Sequence, residues 1–184
     1  MKKLCLDCYK TYDQDYYKEI KKDKIKKYKR IKCINKKCNK NNFIEIDELM
    51  IPTIIELNKK GYKTEFCCSG HINPKSYYIE MPYLLFNSEI NNIPNLPINW
   101  LDFSLDYKPI HIKIDESILS SYEISYTEEK RKVKPKNKNK FIECIFISIT
   151  FKNIFNAQKF LFDQLNNLLE WAINLPEYKK YESE

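Results

Sequence analysis

The chain has 184 residues, 43% hydrophobic and 31% charged, with 32 Lys+Arg against 25 Asp+Glu and a net charge of +7. That length buries one sizeable core with room for a small appendage, and the two glycines, Gly61 and Gly70, exclude a Walker phosphate loop and a GxGxxG dinucleotide loop, since each needs several glycines close together. No apolar run approaches the roughly 20 residues of a membrane span, and the start, MKKLCLDCYK, lacks the apolar stretch of a secretory signal, so a cytoplasmic protein with no membrane partner is expected. In that reducing setting seven cysteines, an odd number, read as metal ligands or isolated thiols rather than a disulfide framework.

The first motif in chain order is Cys5-Leu-Asp-Cys8, followed after 24 residues by Cys33-Ile-Asn-Lys-Lys-Cys38. Two close pairs of thiolates suit a tetrahedral Zn2+, each pair forming a knuckle whose backbone N–H groups point at the sulfurs. Residues 1–45 hold too few apolar side chains to fold without such a staple, and Cys5 and Cys8 lack the strand-then-helix setting of a redox dithiol. A zinc-ribbon-like module over 1–45 is expected, with Cys5, Cys8, Cys33 and Cys38 closing a structural site.

Positive charge is concentrated in two places. Lys18 to Lys40 carries 12 Lys+Arg against 2 acids, and Lys130 to Lys140 carries 7 against none. Such clusters neutralise phosphates and release counterions, so Lys26, Lys27, Arg30, Arg131, Lys132, Lys134 and Lys136 are candidate nucleic-acid contacts, with Tyr28 and Phe43 able to stack on bases. A solvated, Lys-rich face is the plainer reading of the same residues.

From Ile46 the texture changes. Asp47 or a residue just after it is placed to cap a helix that tolerates Pro52 only near its first turn, Met50, Ile51, Ile54, Ile55 and Leu57 form its apolar stripe, Lys59 and Lys60 favour its C-terminal dipole, and Gly61 ends it. Tyr62 to Cys68 reads as a strand and Ser69-Gly70 as the turn that leaves it. Side chains alternate along a strand, so Cys67 and Cys68 face opposite ways and do not share one metal. Consecutive N–H groups at Ser69 and Gly70 are a candidate nest for a phosphate or carboxylate, with His71 beside it as donor, acid or base.

The residues Asp47, Glu48, Pro52, Leu57, Asn58, Thr64, Cys68, Ser69 and Gly70 resemble the pattern of the wybutosine-synthesizing tRNA methyltransferase family. There an acidic pair and a proline open a helix ending near Leu-Asn, and a strand with Thr leads into Ser-Ser-Cys-Ser-Gly-Arg. The resemblance covers residues 46–71; Cys67 stands where the family has Ser and His71 where it has Arg, and the zinc knuckles lie outside the family pattern. It implies an α/β fold unlike the Rossmann methyltransferases, S-adenosylmethionine as methyl donor held near Ser69 and Gly70, catalytic roles for Cys68, Ser69 and His71, and a modified guanosine in tRNA as substrate.

Beyond the motif, Tyr77 to Phe86, Ile110 to Ile114, Ser121 to Tyr126 and Phe141 to Phe151 alternate or run apolar and read as strands, with Glu128 to Lys140 as a long basic hairpin loop. Asn156 to Leu175 is the clearest helix, with Leu161, Leu165, Leu168, Leu169 and Ala172 on one face and Pro176 as its stop. The expected fold is α+β: a small N-terminal zinc ribbon, then a mainly antiparallel sheet packed with two helices over 46–184. Two function classes stay open: an RNA-modifying enzyme whose Cys68–His71 loop lines the reaction pocket, and a non-catalytic mobile-element or regulatory module that binds nucleic acid or occludes a nucleic-acid-binding protein, with RNA expected before DNA.

Overall fold

A computed structural model of the chain describes residues 2–13, 33, 35, 37, 38, 40, 42–87, 89, 90, 93–102, 109–133 and 142–179. The fold is α+β, and its strands form several small antiparallel sheets in place of a single larger one. The first sheet has the order β2 (Thr11–Asp13), β1 (Lys2–Cys5), β3 (Phe43–Ile46), so that the N-terminal strand is central and runs directly into the first cysteine. The expected boundary at residues 45 and 46 falls inside β3, and Leu4 and Ile46 both join the main hydrophobic cluster.

After β3 comes a single 3-10 turn, Glu48–Met50, which leads into helix α1, Ile51–Lys59. Pro52 sits in the first turn, where its missing N–H would have had no partner, and Ile54 and Leu57 are fully buried. The helix is released by Gly61 at φ +89°, and β4, Thr64–Cys68, follows. The Asn58 amide donates to the Ile54 carbonyl at 2.9 Å and to Thr64 Oγ1 at 3.0 Å, which ties the helix end to the start of the strand and gives the buried Thr64 its partner.

The stretch expected as one strand from Tyr77 to Phe86 is two. β5 (His71–Ile72) and β6 (Ile79–Glu80) form a short hairpin, while β7 (Tyr83–Phe86) joins β4, β8 (Trp100–Asp102) and β9 (Pro109–Ile112) in a sheet of order β4-β7-β9-β8. Tyr77 at φ +54° and the Met81-Pro82 step separate them, since proline has no N–H to give a ladder. A short helix, α2 (Glu116–Ser121), takes the first residue of the strand predicted from Ser121, which begins instead at Ile124; Asp115 caps the helix by accepting from the Ile118 N–H at 3.1 Å.

The expected basic loop from Glu128 is also revised: residues up to Val133 belong to β10 (Ile124–Val133), which pairs with β11 (Ile142–Phe151) in unbroken register from Ile124↔Phe151 to Val133↔Ile142. At about 3.4 Å per residue the ribbon is about 30 Å long. Its base reaches the core through Ile149 and Phe151, and Lys130, Arg131 and Lys132 occupy its far end. Helix α3, Ile154–Asn174, closes the fold; Ala157, Phe160, Leu161, Gln164, Leu165, Leu168 and Ala172 are its buried face, with Asn153 as the cap at its start. At its other end the Lys60 ammonium donates to the carbonyls of Ala172, Ile173 and Leu175, so Lys60 serves the dipole of α3 and not, as expected, that of α1. Among the described residues no helix is long and apolar enough to cross a membrane.

Candidate functional site

The strand β1 delivers Cys5 into a turn, Leu6 to Cys8, that folds the chain back: the Cys5 N–H donates to the Lys10 carbonyl and the Tyr9 N–H to the Cys5 carbonyl. Tyr9 takes φ +58°, the left-handed residue such a turn requires. The second pair repeats the device with a longer loop. The Cys33 N–H donates to the Lys40 carbonyl, spanning two residues more than the Cys5-to-Lys10 closure. CxxxxC also has two residues more than CxxC, so both pairs close in the same way around their sulfurs.

The four Sγ atoms lie within 4.8 Å of one another, with Cys5 to Cys38 at 3.8 Å and Cys8 to Cys33 at 3.6 Å. Sulfurs on a tetrahedron about 2.3 Å from a metal stand about 3.8 Å apart, so these separations fit a four-thiolate site and are far too long for a disulfide. Backbone N–H groups of Asp7 and Cys8 point at Cys5, that of Lys10 at Cys8 and that of Lys40 at Cys38. The Tyr12 hydroxyl lies 2.8 Å from Cys33 Sγ. These donors form the outer shell that orients thiolate ligands. Burial pushes the Cys5 thiol up to about 12, whereas at Cys8 the burial effect is outweighed by the Lys10 N–H, the Asn35 amide and its two neighbouring thiols, which bring it down to about 7. The four cysteines can hold a metal ion.

A second group forms at the motif Phe66-Cys-Cys-Ser-Gly-His71, together with a residue the sequence placed elsewhere. Asp47 makes no side-chain cap to the turn it precedes. Its carboxylate reaches 22 residues along the chain and accepts from the Ser69 N–H at 3.0 Å and from Ser69 Oγ at 3.3 Å. The Gly70 N–H meanwhile lies 3.3 Å from Cys68 Sγ. The expected nest of open N–H groups is therefore already filled: Ser69 does hold a carboxylate, but the chain's own, and Ser69 is 5% exposed.

His71 Nε2 stands 3.9 Å from Asp47 Oδ2, and one donor atom each from Asp47, Cys68 and His71 lie within 4.8 Å of one another. Cys67 is not in this group; it is half-buried against the core, as alternation along β4 requires, and burial pushes its thiol up to about 12. Burial also raises the Cys68 thiol, against the opposing pull of the Gly70 N–H, with Asp47 and Glu80 adding to the rise. Gly70 is built in tightly at φ +83°, where no Cβ fits.

Of the candidate nucleic-acid contacts, Arg131 and Lys132 lie at consecutive positions of β10, opposite Cys144 and Glu143. Lys26, Lys27, Arg30, Lys134 and Lys136, with Tyr28, lie outside the described residues. Phe43 is in β3 and packs edge-on against Tyr12 at 6.0 Å, within the ribbon. A feature with no signal in the sequence is an apolar groove of about 750 Å³ between the 3-10 turn, Ile72 and α3, with Leu49, Phe155 and Phe162 exposed along it. Its residues come from three segments that only the packing of α3 across α1 and β5 brings together.

Compared with known proteins, the chain matches no family model, no curated protein and no solved structure.

Proposed function

We propose that this is a nucleic-acid-binding protein whose N-terminal module is stapled by a structural Zn2+ on Cys5, Cys8, Cys33 and Cys38, and that its target is RNA. The observation that carries the reading is the four-sulfur cluster with tetrahedral spacing. A closed thiolate set leaves no position for substrate, so the metal's work is to hold the chain. What it holds supports the rest: Cys8 and Cys33 fix both ends of the segment 9–32, which carries ten Lys+Arg (Lys10 and nine more) against four acids. A second basic run begins on β10 at Lys130, toward the end of the two-stranded ribbon opposite the one that bears Ile149 and Phe151. Two basic segments, one tethered at both ends by cysteines and one begun on β10, are suited to phosphate contacts.

The test is binding of zinc-loaded protein to tRNA, single-stranded RNA and duplex DNA across a salt series. Affinity falls linearly with log salt, with a slope of about 0.7 to 0.9 per phosphate contact, and neutralising Lys132, Lys134 and Lys136 together lowers the slope by about two units. RNA is retained to higher salt than DNA. Absence of binding to all three at low salt refutes the proposal, and S-adenosylmethionine copurifying with the protein would extend it to RNA methyl transfer through the Cys68–His71 loop.

A further inference from the structure

We propose that Asp47, Cys68 and His71 form a second metal site, binding one divalent transition-metal ion through one oxygen, one sulfur and one nitrogen and leaving a fourth position open to an anionic oxygen ligand. It stands independently of the ribbon and of nucleic-acid binding, since it shares no residue with either.

The donor set decides the class of metal. A carboxylate alone would suit Mg2+ or Ca2+, but a thiolate and an imidazole select the softer ions of the zinc and cobalt type. Donors on such an ion stand about 3.3 to 3.6 Å apart, given metal distances of about 2.0 to 2.3 Å. The separation of 3.9 Å between His71 Nε2 and Asp47 Oδ2 needs little closure, and the His71 side chain, 59% exposed, is unconstrained enough to supply it.

The other two ligands are fixed in advance. Asp47 is held by two donors from Ser69 on one oxygen, and a carboxylate has about four acceptor positions, so lone pairs are left for a metal. Cys68 receives the Gly70 N–H, the same backbone-to-sulfur contact found at the N-terminal knuckles. These are the contacts that orient metal ligands elsewhere. Among the described residues three protein donors converge here, against four at the N-terminal cluster, and three with one position open is the arrangement of zinc sites that handle an exchangeable ligand.

The experiment titrates full-length apoprotein with Co2+ and then Zn2+ under reducing conditions, reading stoichiometry and the cobalt–thiolate absorption. Wild type is expected to take two equivalents, with His71→Ala and Cys68→Ala each taking one and keeping the four-sulfur spectrum. Ser69→Ala should weaken the second equivalent by about 10- to 100-fold without touching the first. Addition of inorganic phosphate should shift the cobalt spectrum of wild type and leave that of His71→Ala unchanged. Saturation of wild type at one equivalent, or retention of two by His71→Ala, whose exposed side chain poses no threat to folding, would overturn the site.

Discussion

Gly70→Ala is the substitution the structure constrains most closely, and Gly61→Ala is its control. Both glycines hold positive φ, +83° and +89°, and a Cβ in that region costs about 1–2 kcal/mol. They differ in what the new carbon meets. At Gly61 it would lie 3.3 Å from Tyr178 Cβ, a tight contact but with no atom closer than 3.0 Å. At Gly70 it would lie 2.8 Å from the Glu80 carbonyl oxygen, 2.9 Å from Leu161 Cδ2 and 3.1 Å from Pro82 Cδ. The Glu80 oxygen belongs to the backbone of β6, paired with β5, and cannot move without opening that hairpin. Overpacking of this kind adds about 1–3 kcal/mol, so Gly70→Ala should lose about 2–5 kcal/mol in total and Gly61→Ala only the first part. For a chain of this size each kcal/mol is about 2–4 °C in Tm. The assay is chemical and thermal unfolding of the zinc-loaded proteins side by side. Equal losses, or a neutral Gly70→Ala, would refute the claim that the turn is packed against a fixed carbonyl.

Three further outcomes are expected. Chelation of the metal, or Cys38→Ser, should abolish hydrogen-exchange protection in β1, β2 and β3 while α1 and α3 keep theirs; unchanged protection in β1 would show that the cysteines are not what holds this sheet. Lys60→Met keeps the aliphatic stem and removes the three hydrogen bonds to the end of α3, so it should lower stability by about 1–2 kcal/mol, a loss that a neutral result in urea unfolding would rule out. Tyr122 is pushed up to about 12 by burial and by its hydrogen bond to Asp163, against about 10 when unfolded. The folded chain keeps that proton when the unfolded chain has lost it, so this contribution is complete below pH about 10 and is lost as pH rises toward 12. Tyr122→Phe should make the alkaline fall in stability shallower, and an unchanged pH profile would exclude the coupling.

The convergence of Cys5, Cys8, Cys33 and Cys38 was legible because paired ligands leave a local spacing: each pair is a closed turn, and the extra two residues of Cys33 to Cys38 are absorbed inside that turn. The apolar stripes of α1 and α3 were legible for a similar reason, since Ile54, Leu57, Leu161 and Leu168 repeat within their own helices. Asp47 was not, because its local position is that of a cap and its partner, Ser69, is adjacent only after α1 has folded back onto β4. Lys60 failed in the same way: its own helix end explains it well enough until the C-terminus of α3 arrives beside it. Charge misled at Glu128 to Val133, where a run of polar residues looked like loop. The partner strand explains the difference, since Ile142 to Phe151 has the β-branched and aromatic content to hold a ladder whatever stands opposite.

That same ribbon has a consequence for how the protein behaves in a crowded solution. Strand β11 reads Ile-Glu-Cys-Ile-Phe-Ile-Ser-Ile-Thr-Phe, a composition well suited to forming cross-β stacks with other copies. Among the described residues the ribbon meets another strand only through a single bridge, Tyr78↔Thr150, at its base. Strand β10 carries five consecutive charges, Glu128 to Lys132, along the neighbouring edge. Charges along a strand make the addition of another strand costly, so the run Glu128 to Lys132 suits the part of a gatekeeper against one copy of this ribbon zipping onto the next.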